Sequence, residues 1–204
     1  MPLTATIEDI KAYQEKLEKN KITLDNVDCC PRCQLESILF KIHAYRERRF
    51  LVIAQMLIKA VFCALVRFKC PGCGKTVTYY PDFAIPHKHY TRQTVLALSS
   101  SYVDNDQSTY QEATMVDGVI PETQDSGRPM APSTIYRWIS TLAELFTAYQ
   151  KDLTAKKSCW YFAGHPAIPP QKYKTRKRKQ CLLRCFLFLK TCFIKEKLLS
   201  PSLQ

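Results

Sequence analysis

Two cysteine pairs, Cys30-Pro31-Arg32-Cys33 and Cys70-Pro71-Gly72-Cys73, have the spacing that lets both sulfurs of one turn grip a single metal ion. Four thiolates at the corners of a tetrahedron make a closed structural site, and zinc is the ion such a set commonly holds. A tight turn across Pro-x folds the second Cys of each pair back toward the first and lets backbone N–H groups face sulfur. Gly74, just after the second pair, supplies the left-handed backbone that such a knuckle needs. The predicted ligands are therefore Cys30, Cys33, Cys70 and Cys73, holding a structural Zn2+. Cys29 competes with Cys30, because Cys29-x-x-x-Cys33 is an alternative pair. Buried thiols packing as small hydrophobes would leave the repeated spacing unexplained. A redox dithiol belongs singly at a helix start within a βαβ pattern, and that pattern is missing.

The 36 residues between Cys33 and Cys70 exceed the roughly 15 to 20 of the commonest arrangement, so the segment between the knuckles must itself be structure. From Leu35 to Lys69 it is β-like: Ile38, Phe40 and Ile42 alternate, followed by Phe50 to Ile53 and Val61 to Phe68. Two or three antiparallel strands would return the chain from one knuckle to the other. Arg46, Glu47, Arg48 and Arg49 read as a charged turn or strand tip between them. Thr76 to Tyr80 can add a strand, and Pro81 and Pro86 bracket an extended connection that ends the module. Ahead of it, residues 6 to 20 form a short amphipathic helix, with Ile7, Ile10, Tyr13 or Gln14, and Leu17 near one face, packing as a lid.

Helical signals follow. Thr91 is an N-cap for a helix through Val95, Leu96, Leu98 and Tyr102, with a weaker helical stretch near Ser108 to Val116. Residues 117 to 132 are loop-like. Ser133 then caps a helix on which Ile135, Trp138, Ile139, Leu142, Leu145, Phe146 and Tyr149 share one face at a period of about 3.6 residues. Ser133, Arg137, Ser140 and Glu144 lie opposite, with Tyr136 at the margin. One face that docks on its own domain and another with short polar residues and Arg is how a DNA-reading helix is built. It is also how an ordinary surface helix is built.

Charge narrows the partner. Residues 1 to 154 hold 18 Lys and Arg against 17 Asp and Glu, whereas residues 155 to 204 hold 12 against 1, so nearly all of the net +12 lies in the last quarter. Its densest cluster is Lys172, Lys174, Arg176, Lys177, Arg178 and Lys179, which would attract a polyanion such as double-stranded DNA by counterion release. A solvated charge run is the plainer alternative. The composition, 46% hydrophobic, suits a packed core, and the acidic amphipathic N-terminus lacks a secretory h-region. Ten cysteines then indicate a reducing compartment, the cytoplasm, rather than a disulfide scaffold; the expected location is cytoplasmic and nucleoid-associated. Residues 181 to 194 are apolar but broken by Arg184 and Lys190, too short a run to span a bilayer.

Arg67-Phe68-Lys69-Cys70-Pro71-Gly72-Cys73-Gly74-Lys75-Thr76, followed by Tyr80-Pro81-Asp82-Phe83-Ala84-Ile85-Pro86 and Tyr90, resembles the zinc-ribbon segment of an uncharacterised bacterial family associated with insertion elements. Ser133-Thr134-Ile135-Tyr136-Arg137-Trp138 is similar to the start of the helix that follows in those proteins and in many transposase helix-turn-helix domains. The resemblance implies a transposase-like, zinc-stabilised DNA-binding protein without a catalytic domain. Asp82, Asp104, Asp106, Asp117, Glu122, Asp125 and Glu144 form no motif for metal-dependent DNA cleavage. His87 and His89, a candidate metal or acid-base pair, sit more simply as a polar turn before Thr91.

The expected architecture is α+β: an N-terminal helix (residues 1–24), a small β-rich zinc ribbon (25–86), a helix-turn-helix-like segment (87–152) and a basic, apolar-helical C-terminal tail (153–204). The expected function is DNA binding, not catalysis. Ser133, Tyr136, Arg137 and Ser140 would lie at the groove, and residues 172 to 179 on phosphates. The alternative is a protein-interaction accessory module of a transposition or regulatory complex. In either case the partner set would be DNA, a transposase or a second copy of the chain, and no membrane.

Overall fold

The computed structural model describes residues 5–19, 21–23, 29–30, 32–85, 87–105, 108–155 and 176–198. The fold is mixed α+β, with the strand-rich part preceding most of the helices. The chain divides into two compact units, Met1–Thr94 with Glu122–Gly127, and Val95–Pro121 with Arg128–Gln204.

The first unit is built on one long antiparallel hairpin, β1 (Lys41–Ala54) and β2 (Leu57–Lys69). The turn is only Gln55-Met56, and both residues are left-handed, at φ 52° and 62°. That is the two-residue geometry whose twist matches the flanking strands, here made without the usual Asn-Gly or Asp-Gly. The expected charged turn at Arg46 to Arg49 is therefore corrected: these residues lie inside β1, where Arg46 pairs with Leu65 and Arg49 with Phe62. The physical reason is burial. The chain reverses within its apolar run, where Phe50, Val52, Ile53, Ala54 and Ile58 are buried, and leaves the charged stretch on exposed strand. Charges on a strand near a sheet edge also discourage pairing with other chains.

A short β3 (Thr76–Thr78) pairs antiparallel with the end of β2, as the run after the second knuckle predicts. A two-residue β4 (Glu122–Thr123) pairs in parallel with the start of β2 at Leu57 and Ile58. The stretch expected to be loop throughout therefore contributes a strand to the ribbon's unit.

Helix α1 (Ala5–Glu18) lies against β2 and buries Ile10 and Tyr13, with Ile7 and Leu17 partly covered. Tyr13 takes the apolar face, while Gln14 donates to the Phe62 carbonyl at 3.1 Å. Phe83, from the Pro81-Asp82-Phe83 stretch, meets Phe50 edge-on at 5.2 Å and Tyr13 at 5.7 Å. Such ring pairs add about 0.5 to 1.5 kcal/mol beyond the area they bury. The tight turn that presents Phe83 is closed by Ala84 N–H to Pro81 O at 2.8 Å. Thr91, at the start of α2 (Arg92–Asp104), is buried and shares a 2.9 Å hydrogen bond with the Thr94 hydroxyl.

The second unit takes in α2 from Val95 onward, α3 (Ser133–Ala155) and α4 (Arg176–Leu198). Ile135, Trp138, Ile139, Leu142 and Phe146 are buried along α3, as the periodicity predicts. Leu145 is exposed, and the side chain of Tyr149 lies outside the described residues. Leu182, Cys185 and Leu189, at helical spacing on α4, are buried, and α4 packs on α3. Between α2 and α3 the expected weak helix is one 3-10 turn, Glu112–Thr114. Thr109 and Glu112 cap it reciprocally, each side chain accepting from the other's backbone N–H. Residues 105–132 thus separate the two helices, which is not the three- or four-residue turn of a helix-turn-helix pair. No helix among the described residues is long and apolar enough to cross a membrane.

Candidate metal centre

The hairpin solves the spacing problem. Lys41 pairs with Lys69, so the two strand ends that carry the cysteine turns leave the sheet side by side. The Sγ atoms of Cys30, Cys33, Cys70 and Cys73 lie within 4.8 Å of one another. Across the turns, Cys30 faces Cys73 and Cys33 faces Cys70, each at 3.5 Å. A tetrahedron with metal–sulfur bonds of about 2.3 Å has sulfurs about 3.8 Å apart, so the four thiols fit one ion. Among the described residues no other group of three or more such side chains is gathered in this way. Cys29 is not part of the set: its thiol donates to Gln34 Oε1 at 3.1 Å, and its backbone bridges to Glu36.

The two turns are built alike. Gln34 N–H donates to Cys30 O and Gly74 N–H to Cys70 O, both at 2.9 Å, while Cys30 N–H reaches Leu35 O at 2.7 Å and Cys70 N–H reaches Lys75 O at 2.9 Å. The residue four after the first Cys is left-handed in both, Gly74 at φ 72° and Gln34 at φ 59°. The first turn thus uses Gln where the second uses Gly. Gly72 has a different reason to be small: a Cβ there would lie 3.4 Å from Cys33 Sγ and 3.4 Å from Leu35 Cδ2.

A test of the backbone argument follows from these angles. At position 74 an added Cβ meets only Lys69 Cε, at 3.8 Å, so Gly74→Ala is expected to cost about 1 to 2 kcal/mol through conformation alone. Gln34→Gly is expected to gain a few tenths to about 0.5 kcal/mol, since relief at positive φ exceeds the added chain entropy. Denaturant titration of the metal-loaded protein measures both, and equal signs would refute the assignment.

Electrostatics distinguish the clustered thiols from the others. The backbone N–H groups of Cys33 and Arg32 face the Cys30 sulfur and bring its pKa down to about 6. At Cys33 the Leu35 N–H acts in the same direction, but the thiol of Cys70, burial and the thiols of Cys30 and Cys73 outweigh it and push the value up to about 12. Four crowded thiols cannot all ionise without a cation among them, so metal uptake must release protons. Cys63, outside the cluster, is pushed up to about 11 by burial alone, and burial also raises the Cys185 thiol. Those two pack as apolar residues. Cys30 and Cys70 are buried in a small core with Phe40, Val66 and Phe68, Cys73 is half-buried, and Cys33 is exposed. An ion would therefore be approached from the Cys33 side.

The residues expected at a DNA groove separate. Ser133 and Arg137 are exposed on α3, the Arg137 Nε making only a 3.4 Å contact with Ser133 O. Tyr136, which is 46% exposed, and Ser140 meet Arg178 within their own unit, and the three line a cleft of about 500 Å³ together with Lys177 and Arg184. Arg178 is buried; its guanidinium lies over the Tyr136 ring at 4.0 Å and donates to Ser140 Oγ at 2.9 Å and Tyr110 Oη at 2.8 Å. Tyr110 in turn stacks on Tyr102 with ring centroids 4.3 Å apart. The ring and the two hydroxyls fix the position of this guanidinium. The charge run concealed this role, because which cation turns inward depends on α3 being there to receive it. Lys177 is exposed and Lys179 half-buried on α4. Arg176 opens that helix with its side chain outside the described residues, where Lys172 and Lys174 also lie.

No curated protein and no solved structure matches the chain. Residues 30–138, more than half of the chain and running from the first metal-site cysteine to Trp138 of α3, match a family described as a domain of unknown function (DUF6431), and the chain belongs to that family.

Proposed function

We propose that this is a zinc-stabilised DNA-binding protein in which the metal folds the ribbon and performs no chemistry. The observation that carries the proposal is the closed set of four sulfurs at the foot of the β1–β2 hairpin. Four protein thiolates leave no coordination position for substrate or water, so the ion's work is to join the two turns. Tetrahedral sulfur sets suit zinc or iron. Zinc is proposed because it accepts the closed geometry without a redox role, and iron in the purified protein would overturn that part.

DNA is proposed as the partner on charge. The chain carries a net +12, and neutralising phosphates with such a surface releases counterions. Lys177 and Lys179, with Ser133 and Arg137 on α3, remain the helical contacts of the proposal. A transposase-like or transposon-associated role without a catalytic domain rests on the resemblance of the second cysteine turn and the Pro-Asp-Phe stretch.

One feature favours a second reading, a protein-interaction module. Ile38 and Leu39, just beyond the first cysteine turn, are 84% and 51% exposed, an apolar pair at a place where a partner could cover it. Binding of the purified protein to duplex DNA separates the two. The expected result is binding in the micromolar range or tighter near physiological salt, weakening steeply as salt rises. Absence of binding at low salt would give the lead to the interaction module.

A further inference from the structure

Outside the metal centre, the first unit has a cleft of about 360 Å³ lined by Arg46 to Arg49 on β1 and by His87 and His89 in the turn before α2, with Leu65, Thr78 and Tyr80 completing its wall. Arg46 and Arg48 are two apart on a strand and so share one face. Arg48 is anchored: its guanidinium donates to the carbonyls of Ile85 and Lys88 and lies over the rings of Phe50 at 5.5 Å and Tyr80 at 5.4 Å. It ties β1 to the 87–89 turn and brings positive charge to the cleft without being free to leave it. The His89 ring shares a 3.2 Å hydrogen bond with Arg49 O, which fixes the other wall. Arg46 is exposed. Glu47 also lines the cleft, so one carboxylate stands among these cations.

An exposed arginine beside a second one held in place offers phosphate oxygens a forked set of N–H donors with positive charge behind it. A solvated charge run would not need a cleft, nor an Arg fixed by two carbonyls and two rings. We infer that this cleft binds a backbone phosphate of DNA, with Arg46 as the direct contact and Arg48 as its pre-positioned neighbour. The inference rests on the DNA-binding proposal and moves its main phosphate contact from the C-terminal helix to the ribbon.

The test uses the full chain with its metal and a labelled DNA duplex in a salt series. Arg46→Gln is expected to bind about tenfold more weakly, the loss of one charge-assisted contact, and to lower the dependence of log affinity on log salt by about one. Lys16→Gln, on the exposed side of α1, removes the same charge elsewhere and should change little. Arg46→Lys should restore the salt dependence but only part of the affinity, because the fork is lost. Equal affinity and slope for wild type and Arg46→Gln, with metal content unchanged, overturns the inference and leaves the DNA-binding proposal standing. Failure of the wild type to bind removes both. Calorimetry with inorganic phosphate alone separates the two sources of phosphate: uptake that needs Arg46, with DNA affinity unaffected by Arg46→Gln, would assign the cleft to the free ion and overturn the DNA assignment.

Discussion

Cys33→Ser or Cys73→Ser is expected to cost the protein its metal ion and the fold of the ribbon in one step. Each variant leaves three thiolates, and a structural site of this kind contributes on the order of 10 kcal/mol or more of apparent binding energy that is also folding energy. The coupling is direct here because Cys30 and Cys70 are core residues, packed with Phe40, Val66 and Phe68. Losing the ion leaves mutually repelling or protonated sulfurs in the core where the two turns meet. Cys29→Ser is expected to keep the ion, since its thiol bonds to Gln34 and stays out of the cluster. Metal analysis with amide exchange across β1 and β2 decides the matter. Wild type that is folded and metal-free under reducing conditions would sink the claim, as would full metal retention in Cys73→Ser.

The second large effect is expected on α3. Trp138 is 4% exposed and Ile139 fully buried, so Trp138→Ala should cost roughly 3 to 5 kcal/mol, the transfer energy of the ring plus the cavity it leaves. Arg137, its neighbour, points to solvent and makes one long contact with Ser133 O. Arg137→Ala should therefore change stability by no more than about 0.5 kcal/mol. If α3 reads bases, the same substitution removes about 1 to 3 kcal/mol on a preferred site while non-specific binding holds. Denaturant unfolding and a binding-site selection give the two readouts separately. A stable Arg137→Ala protein with unchanged sequence preference would make α3 a structural helix.

The metal set was legible because its logic is local. Two residues between paired cysteines fix each half of the site, and Pro71, Gly72 and Gly74 announce the turn. Helices α1 and α3 were legible for the same reason: an apolar stripe at helical period is a property of a few consecutive turns. Even so, Leu145 breaks the stripe on α3, since nothing in the period says where the neighbouring surface ends. The turn of the hairpin was not legible. Gln55 and Met56 carry no intrinsic preference for positive φ, and they adopt it because burial of the apolar residues on both sides of them aligns the strands.

Arg178 marks the same boundary from the side of charge. In the sequence it is one cation in a basic run; in the structure the Tyr136 ring, the Ser140 hydroxyl and the Tyr110 hydroxyl surround it. Lys177, the residue before it, stays in water. What the amino-acid order determined by itself is what adjacent residues decide among themselves: knuckle chemistry, helical stripes and the net basic charge. What only the tertiary structure decided is what depends on partners distant in sequence, namely which cation is desolvated, where the hairpin reverses, and that β4 joins the ribbon's sheet. Burial and pairing energies arise only when those distant surfaces meet, and no short window of sequence contains both sides of the contact.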